Sequence, residues 1–336
     1  MLNWLPSLKN RSLMTLLDFS DEEMLNVVDL AIALKARRKA GIRGSLLKQR
    51  HIALIFEKSS TRTRNSASIA VRDEGGHAEY LTRGDIHLGT KESVADTARV
   101  LGRLFDGILF RGFSQKTVED LAKYSGVPVW NGLTDDYHPT QILADLMTLK
   151  ENFGELKGLK LAYVGDGRNN MANTLMIGCA KAGIHYANCT PAELFPDPAL
   201  VEQVRTIAQK NGATIEITAD PIAGVKGANA VYTDVWASMG EEAQREERIR
   251  LLSPYQVNRT LMQATGNLGG KLIFLHCLPA FHNRETEVSK DIGEMEVTDE
   301  VFEAPYSKVF DEAENRMHTI KALYVSSLAD PSQPQD

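Results

Sequence analysis

"HIALIFEKSSTRTRNSAS", His51 to Ser68, decides the fold. A run of strand length, His51–Phe56, gives way at once to four hydroxyls and two arginines within Ser59–Arg64. A short apolar run bounded by turn residues reads as a fully buried strand, and serines and threonines before a periodic stretch read as a helix start. A buried strand that hands its chain directly to a helix belongs to a parallel sheet. The polar cluster at the junction has two readings, a solvated turn with an ordinary helix N-cap or a pocket for a doubly charged anion.

The same rhythm runs outward from this stretch in both directions. Strands are expected at His51–Phe56, Ala78–Leu81, Gly107–Phe110 and Val127–Trp130, with helices such as "KESVADTARVLGRL" and "SQKTVEDLAKYSG" between them. The second half repeats it with "GLKLAYVGD", "HYANC", "TIEIT", "ANAVYTD" and "KLIFLHCLP" as strands. The expected fold is α/β: two similar domains, each with a central parallel sheet flanked by helices, and an active site in the cleft between them. A long helix from Pro139 to about Phe153 joins the halves, which puts the domains at 1–150 and 151–312. A closing helix at about 313–330, with Met317, Ile320, Leu323 and Tyr324 at helical spacing, is expected to pack back on the first domain.

Bulk properties narrow the function. A chain of 336 residues with 43% hydrophobic content can bury two cores. The formal net charge of -6 argues against nucleic acid as a partner, so any positive site is local. No apolar stretch approaches the roughly 20 residues that span a bilayer, and the N-terminal stretch lacks the pattern of a secretory leader. Three cysteines without a C-x-x-C pair fit reduced thiols in a cytoplasmic protein.

In open parallel sheets, ligands sit beyond the carboxyl ends of the strands. Six polar clusters fall at such ends: "SSTRTR", Arg111, "HPTQ" (His138–Gln141), "GDGRNN" (Gly165–Asn170), "DVWASMG" (Asp234–Gly240) and "HCLP" (His276–Pro279). Ser60, Thr61 and Thr63 carry hydroxyls, and Arg62 and Arg64 carry planar forks that match phosphate oxygens. The glycines and lysine of a P-loop are absent. "GDGRNN" fails the dinucleotide fingerprint because Asn170 stands where the third glycine belongs, so no nucleotide cofactor is expected; the amides of Asn169 and Asn170 suit a small zwitterion instead. Asp234, at a strand end before a glycine-containing loop, has two readings, the holder of an ammonium group or a cap for the helix beginning near Glu241. His276 and Cys277 point to opposite faces of a strand, and with no further Cys or His at ligand spacing no metal is expected.

Taken together, Ser60–Arg64, His138–Gln141, Asp234–Gly240, His276–Pro279 and "AENRMHTIKA" (Ala313–Ala322) resemble, in order and over nearly the whole chain, the aspartate/ornithine transcarbamylase family, most closely its ornithine-using members. The resemblance implies transfer of the carbamoyl group of carbamoyl phosphate to the side-chain amine of ornithine, giving citrulline and phosphate, in arginine synthesis or breakdown. It implies that Ser60, Thr61, Arg62, Thr63, Arg111, His138, Gln141, Cys277, Leu278 and Arg316 bind carbamoyl phosphate, and that Asn170, Asp234, Ser238 and Met239 bind ornithine. Arg62, Arg111, His138, Asp234 and Cys277 would carry the chemistry. It further implies a homotrimer or a larger assembly of trimers. The rival readings are a carbamoyltransferase for another amine such as putrescine, and a silent binding relative. One departure stands out: Ser66-Ala67-Ser68 occupies the place of the family's usual Ser-Phe-Glu. That change removes an aromatic and a carboxylate that would hold Arg64.

Overall fold

The structure, a computed structural model, describes residues 5–236 and 245–330. It divides into two compact units, 1–147 with 314–336, and 148–313. In the first, α1 (Asp21–Lys39), β1 (His51–Phe56), α2 (Thr61–Arg72), β2 (His77–Thr82), α3 (Val94–Leu104), β3 (Gly107–Arg111), α4 (Gln115–Ser125) and β4 (Val129–Leu133) lead into α5 (Pro139–Phe153). The strands form one parallel sheet in the order β2-β1-β3-β4. Ala53, Ile55, Ile108, Phe110 and Val129 pack with Ala98, Leu101, Val118 and Leu121 from α3 and α4 to form a core on one face.

The second unit runs β5 (Lys160–Val164), α6 (Asn170–Ala182), β6 (His185–Cys189), α7 (Pro198–Asn211), β7 (Ile215–Thr218), α8 (Pro221–Val225), β8 (Ala230–Thr233), α9 (Arg245–Leu252), α10 (Arg259–Ala264), β9 (Ile273–His276) and α11 (Asp299–Phe302). The sheet order is β7-β6-β5-β8-β9, again all parallel. The final helix, α12 (Val309–Leu328), begins in this unit and ends in the first. There the ring of Tyr324 lies 4.7 Å from that of Trp130. Among the described residues no helix is long and apolar enough to cross a membrane.

Among the boundaries that differ from the sequence reading, two have a visible cause. The fourth strand starts at Val129, two residues later than expected, because Pro128 has no N–H to give the ladder. The last helix starts at Val309, several residues earlier than expected. After Val309 its next buried positions, Glu312, Asn315 and Arg316, are polar and so invisible to an apolar rhythm. Gly126 takes the left-handed conformation (φ 75°) and ends α4, as a C-cap glycine does.

Candidate active site

Every cluster singled out in the sequence, so far as it lies within the described residues, stands at a strand's carboxyl end. In the first unit, Ser60 is the N-cap of α2, and its Oγ accepts the Thr63 backbone N–H at 3.1 Å. The N-cap reading therefore holds for this one hydroxyl. Thr63, buried, turns the other way. Its Oγ1 accepts from Arg316 Nη2 at 3.1 Å and from Arg111 Nη1 at 3.4 Å. Arg111 ends β3 where the register with β4 shifts, an irregularity of the kind that re-aims a side chain.

Arg316 is the hub. Its Nη1 donates to Gln141 Oε1 at 2.5 Å and lies 3.3 Å from His138 Nε2, and its Nη2 reaches Thr140 Oγ1 at 3.4 Å. A guanidinium can only donate, so His138 Nε2 is an acceptor and the ring is neutral. Burial holds the His138 pKa well below the ordinary histidine value, and the charges of Arg316, Arg111 and Arg62 push it further the same way. Gln141 is fixed from its other end, where Nε2 donates to Asp145 at 2.8 Å. Arg62 is half-buried at the start of α2, next to the exposed Thr61.

Two residues of this region were missed by sequence reading. Lys58, buried just before the cluster, pairs with Asp135 at 2.6 Å and lies over the Phe113 ring at 4.2 Å, which anchors the loop that carries Ser60. Tyr80 on β2 lies under the Arg64 guanidinium, 3.8 Å from ring centre to carbon, and tilts against Phe56. The partner that Ala67 and Ser68 cannot give Arg64 is thus an aromatic face.

In the second unit, β5, β8 and β9 deliver a smaller cluster. Asn169 caps α6 through its Oδ1, which accepts the Ala172 N–H at 2.8 Å. Its Nδ2 donates to Tyr163 Oη at 2.9 Å and to Asp234 Oδ2 at 3.3 Å. Asn170, half-buried, opens the helix one residue on. Asp234 Oδ1 accepts from Cys277 Sγ at 3.1 Å and from the Val235 N–H at 2.8 Å. Burial raises the pKa of Asp234 above the ordinary carboxylate value, against the lowering effects of His276, the Cys277 thiol and the Val235 N–H. Tyr163, buried beside Asp234, is pushed well above the ordinary phenol value, chiefly by burial and then by that charge. Gly167 is a packing glycine: a Cβ there would meet Leu194 O at 2.8 Å. Ser238 and Met239 lie outside the described residues.

The "HCLP" turn sends its first two side chains apart, as neighbours on a strand do. Cys277 faces Asp234, while His276 faces the interior. Its Nδ1 accepts the Leu278 N–H at 2.9 Å, and its Nε2 lies 3.2 Å from Glu296 Oε1. Leu278 has φ 59°, and the Leu278–Pro279 peptide is cis. Asp234, His276 and Cys277 do bring three ligand types within 4.8 Å of one another. With Nδ1 accepting and Nε2 donating, however, the imidazole keeps no lone pair for a metal.

Comparison with known proteins places these two units. Residues 11–151 match the carbamoyl-P binding domain, and residues 157–327 the Asp/Orn binding domain, of aspartate/ornithine carbamoyltransferase. The chain belongs to the aspartate/ornithine carbamoyltransferase family. It is 55% identical over 326 residues to the catabolic ornithine carbamoyltransferase of Enterococcus faecalis, covering 95% of this chain and 96% of that protein. It is 56% identical over 322 residues to the ornithine carbamoyltransferase of Caldanaerobacter subterraneus subsp. tengcongensis, covering 96% of this chain and 99% of that one. Among solved structures, ornithine carbamoyltransferase from Pyrococcus furiosus superposes with a TM-score of 0.88 at 43% identity, over 95% of this chain and 97% of that one.

Proposed function

We propose that this chain is an ornithine carbamoyltransferase, carrying the carbamoyl group of carbamoyl phosphate to the side-chain amine of L-ornithine. The observation that carries the reading is the neutral His138 ringed by the charges of Arg316, Arg111 and Arg62. Such a centre suits a ligand with both a dianionic phosphate and a polar, uncharged carbonyl. In this reading the first unit, 1–150 with the helix at about 313–330, is the carbamoyl-phosphate domain. Ser60, Thr61, Arg62, Thr63 and Arg111 hold the phosphate; His138, Gln141 and Arg316 hold the carbamoyl group. The second, 151–312, is the ornithine domain, with Asn170, Asp234, Ser238 and Met239 on the amino acid and Cys277 and Leu278 at the reacting carbon.

The amine nitrogen forms a bond to the carbonyl carbon, the bond from that carbon to the bridging phosphate oxygen breaks, and phosphate leaves with the electron pair. An amine of this kind has a pKa near 10.4 in water, so a proton must be removed before attack. We assign that proton to Asp234, whose burial raises its proton affinity and which already accepts the Cys277 thiol. Fixed guanidinium groups stabilise the charge that develops on the carbonyl oxygen and the leaving phosphate without reorganising. The reading extends to a homotrimer or larger assembly of trimers, and to a cytoplasmic location, which suits the three free thiols. No cofactor enters it. The test is citrulline formation by the purified chain, with putrescine and aspartate assayed in parallel. Turnover with ornithine alone is the expected result; preference for another amine overturns the ornithine assignment, and silence with every amine overturns the enzyme.

A further inference from the structure

The second unit holds a set of buried carboxylates that the chemistry above does not use. Glu296 and Glu312 are both fully buried, and both converge on His276, also fully buried. Glu312 Oε2 accepts the backbone N–H of His276 at 3.0 Å, and Glu312 Oε1 accepts Tyr232 Oη at 3.0 Å. Glu296 Oε1 accepts the Phe281 N–H at 2.7 Å and faces His276 Nε2 at 3.2 Å. Glu296 is itself fixed by its backbone, since its carbonyl accepts the Val257 N–H at 2.9 Å, and Met295 N–H returns to Phe281 O at 2.8 Å. The chain from 281 to 296 therefore closes on itself beneath the "HCLP" turn, and one carboxylate oxygen fastens both the turn's exit and the histidine ring.

The ring in turn fastens Leu278. A branched side chain at φ 59° is disfavoured and persists only where its surroundings over-determine it. Here the determinant is visible: the Leu278 N–H is taken by His276 Nδ1. That acceptor exists only in the tautomer with its proton on Nε2, and Glu296 is the group that receives that proton. We infer that Glu296, acting through His276, is a positioning residue that holds Cys277 and Leu278 in place for the reaction. The inference rests on the proposed role of Cys277 and Leu278 but not for its first readout, which is independent of turnover.

That readout is the thiol. Cys179 and Cys189 are buried, and burial raises the Cys189 thiol to about 12; Cys277 is partly exposed. Alkylation by iodoacetamide, followed by peptide mass spectrometry, thus reports on the turn alone while the other two cysteines report on the fold. In Glu296→Ala, Cys277 is expected to react at least ~10-fold faster than in the wild type, with Cys179 and Cys189 still silent. In Glu296→Gln, whose amide oxygen can still accept from both Nε2 and the Phe281 N–H, the rate is expected to stay within ~2-fold. Unchanged Cys277 reactivity in Glu296→Ala with a silent core overturns the inference. If Glu296→Ala bares all three thiols, His276→Asn decides. Its Oδ1 can accept the N–H two residues on, as in an Asx turn, so Cys277 should stay slow; fast alkylation confined to Cys277 overturns the inference. In the citrulline assay, Glu296→Ala should lose at least ~10-fold in kcat with KM for carbamoyl phosphate within ~2-fold, and Glu296→Gln should recover most of the loss. A KM-only effect in that assay also overturns the inference. Absence of turnover in the wild type would instead strike at the proposed function and leave the thiol result standing.

Discussion

The two units place opposite kinds of charge at the same structural position. Beyond the strands of the first sheet stand guanidinium groups, which stay charged at every physiological pH, around a histidine that burial first and their charges second keep neutral. Beyond the strands of the second stand the carboxylates of Asp166 and Asp234: Asp166 pairs with Arg248, while Asp234 is held by an amide, a thiol and a backbone N–H, and its burial makes it easier to protonate. The first centre is a fixed field, built before any ligand arrives, and suits a phosphate. The second can change its protonation, and suits an amine that must lose a proton. The contrast teaches that the parallel sheet supplies only the location, and the side chains at each strand end decide which substrate is held.

The largest expected effect breaks the fixed field at its hub. Arg316→Ala removes the group shared by Gln141, Thr63, Thr140 and His138. It should lower kcat/KM by about 1000-fold, some 4 kcal/mol of transition-state stabilisation. A loss under about tenfold would show that the hub is only structural. Next in size is Asp234→Ala, expected to lower kcat/KM for ornithine by about 100-fold, with KM for carbamoyl phosphate little changed. An unaltered ornithine KM and kcat would remove Asp234 from the amino-acid site.

Smaller effects test the supports. Tyr80→Ala withdraws the aromatic face from Arg64, a contact worth about 0.5–1 kcal/mol at an exposed site, and should raise KM for carbamoyl phosphate by about 3-fold. An increase tenfold or more would mean that Arg64 is itself a phosphate ligand. The smallest concerns stability. His318, buried on α12 and 3.3 Å from Glu314, has its pKa lowered from 6.5 to about 4, first by burial. Between those values the unfolded chain binds a proton that the folded chain refuses, so stability should fall as pH drops from about 6.5 towards 4. His318→Gln should flatten that decline in Tm against pH without abolishing it, because His138 titrates in the same sense. An identical slope in the variant would contradict the assignment.

What could be read without coordinates followed a simple physical division. Strands such as His51–Phe56 and the helix Pro139–Phe153 announced themselves because apolar runs and a proline at the first helical turn are local signals. "SSTRTR" was legible because hydroxyls and guanidinium groups crowd one strand end. Arg316 became visible only through the resemblance, since one arginine on a long helix carries no local mark, and buried Glu312, Asn315 and His318 around it hide the core-facing stripe. Tyr80 read as an ordinary strand residue, and nothing in "EMEV" links Glu296 to a histidine twenty positions earlier. Long-range pairing of polar groups leaves no period in the sequence.

Calorimetric titration with carbamoyl phosphate tests the division of labour most directly, with wild type, Arg62→Ala and Asp234→Asn side by side. Asp234→Asn is expected to bind within about 2-fold of wild type, and Arg62→Ala at least about 50-fold more weakly, a loss of about 2.3 kcal/mol. Equal affinity in Arg62→Ala, or a comparable loss in Asp234→Asn, would contradict that division.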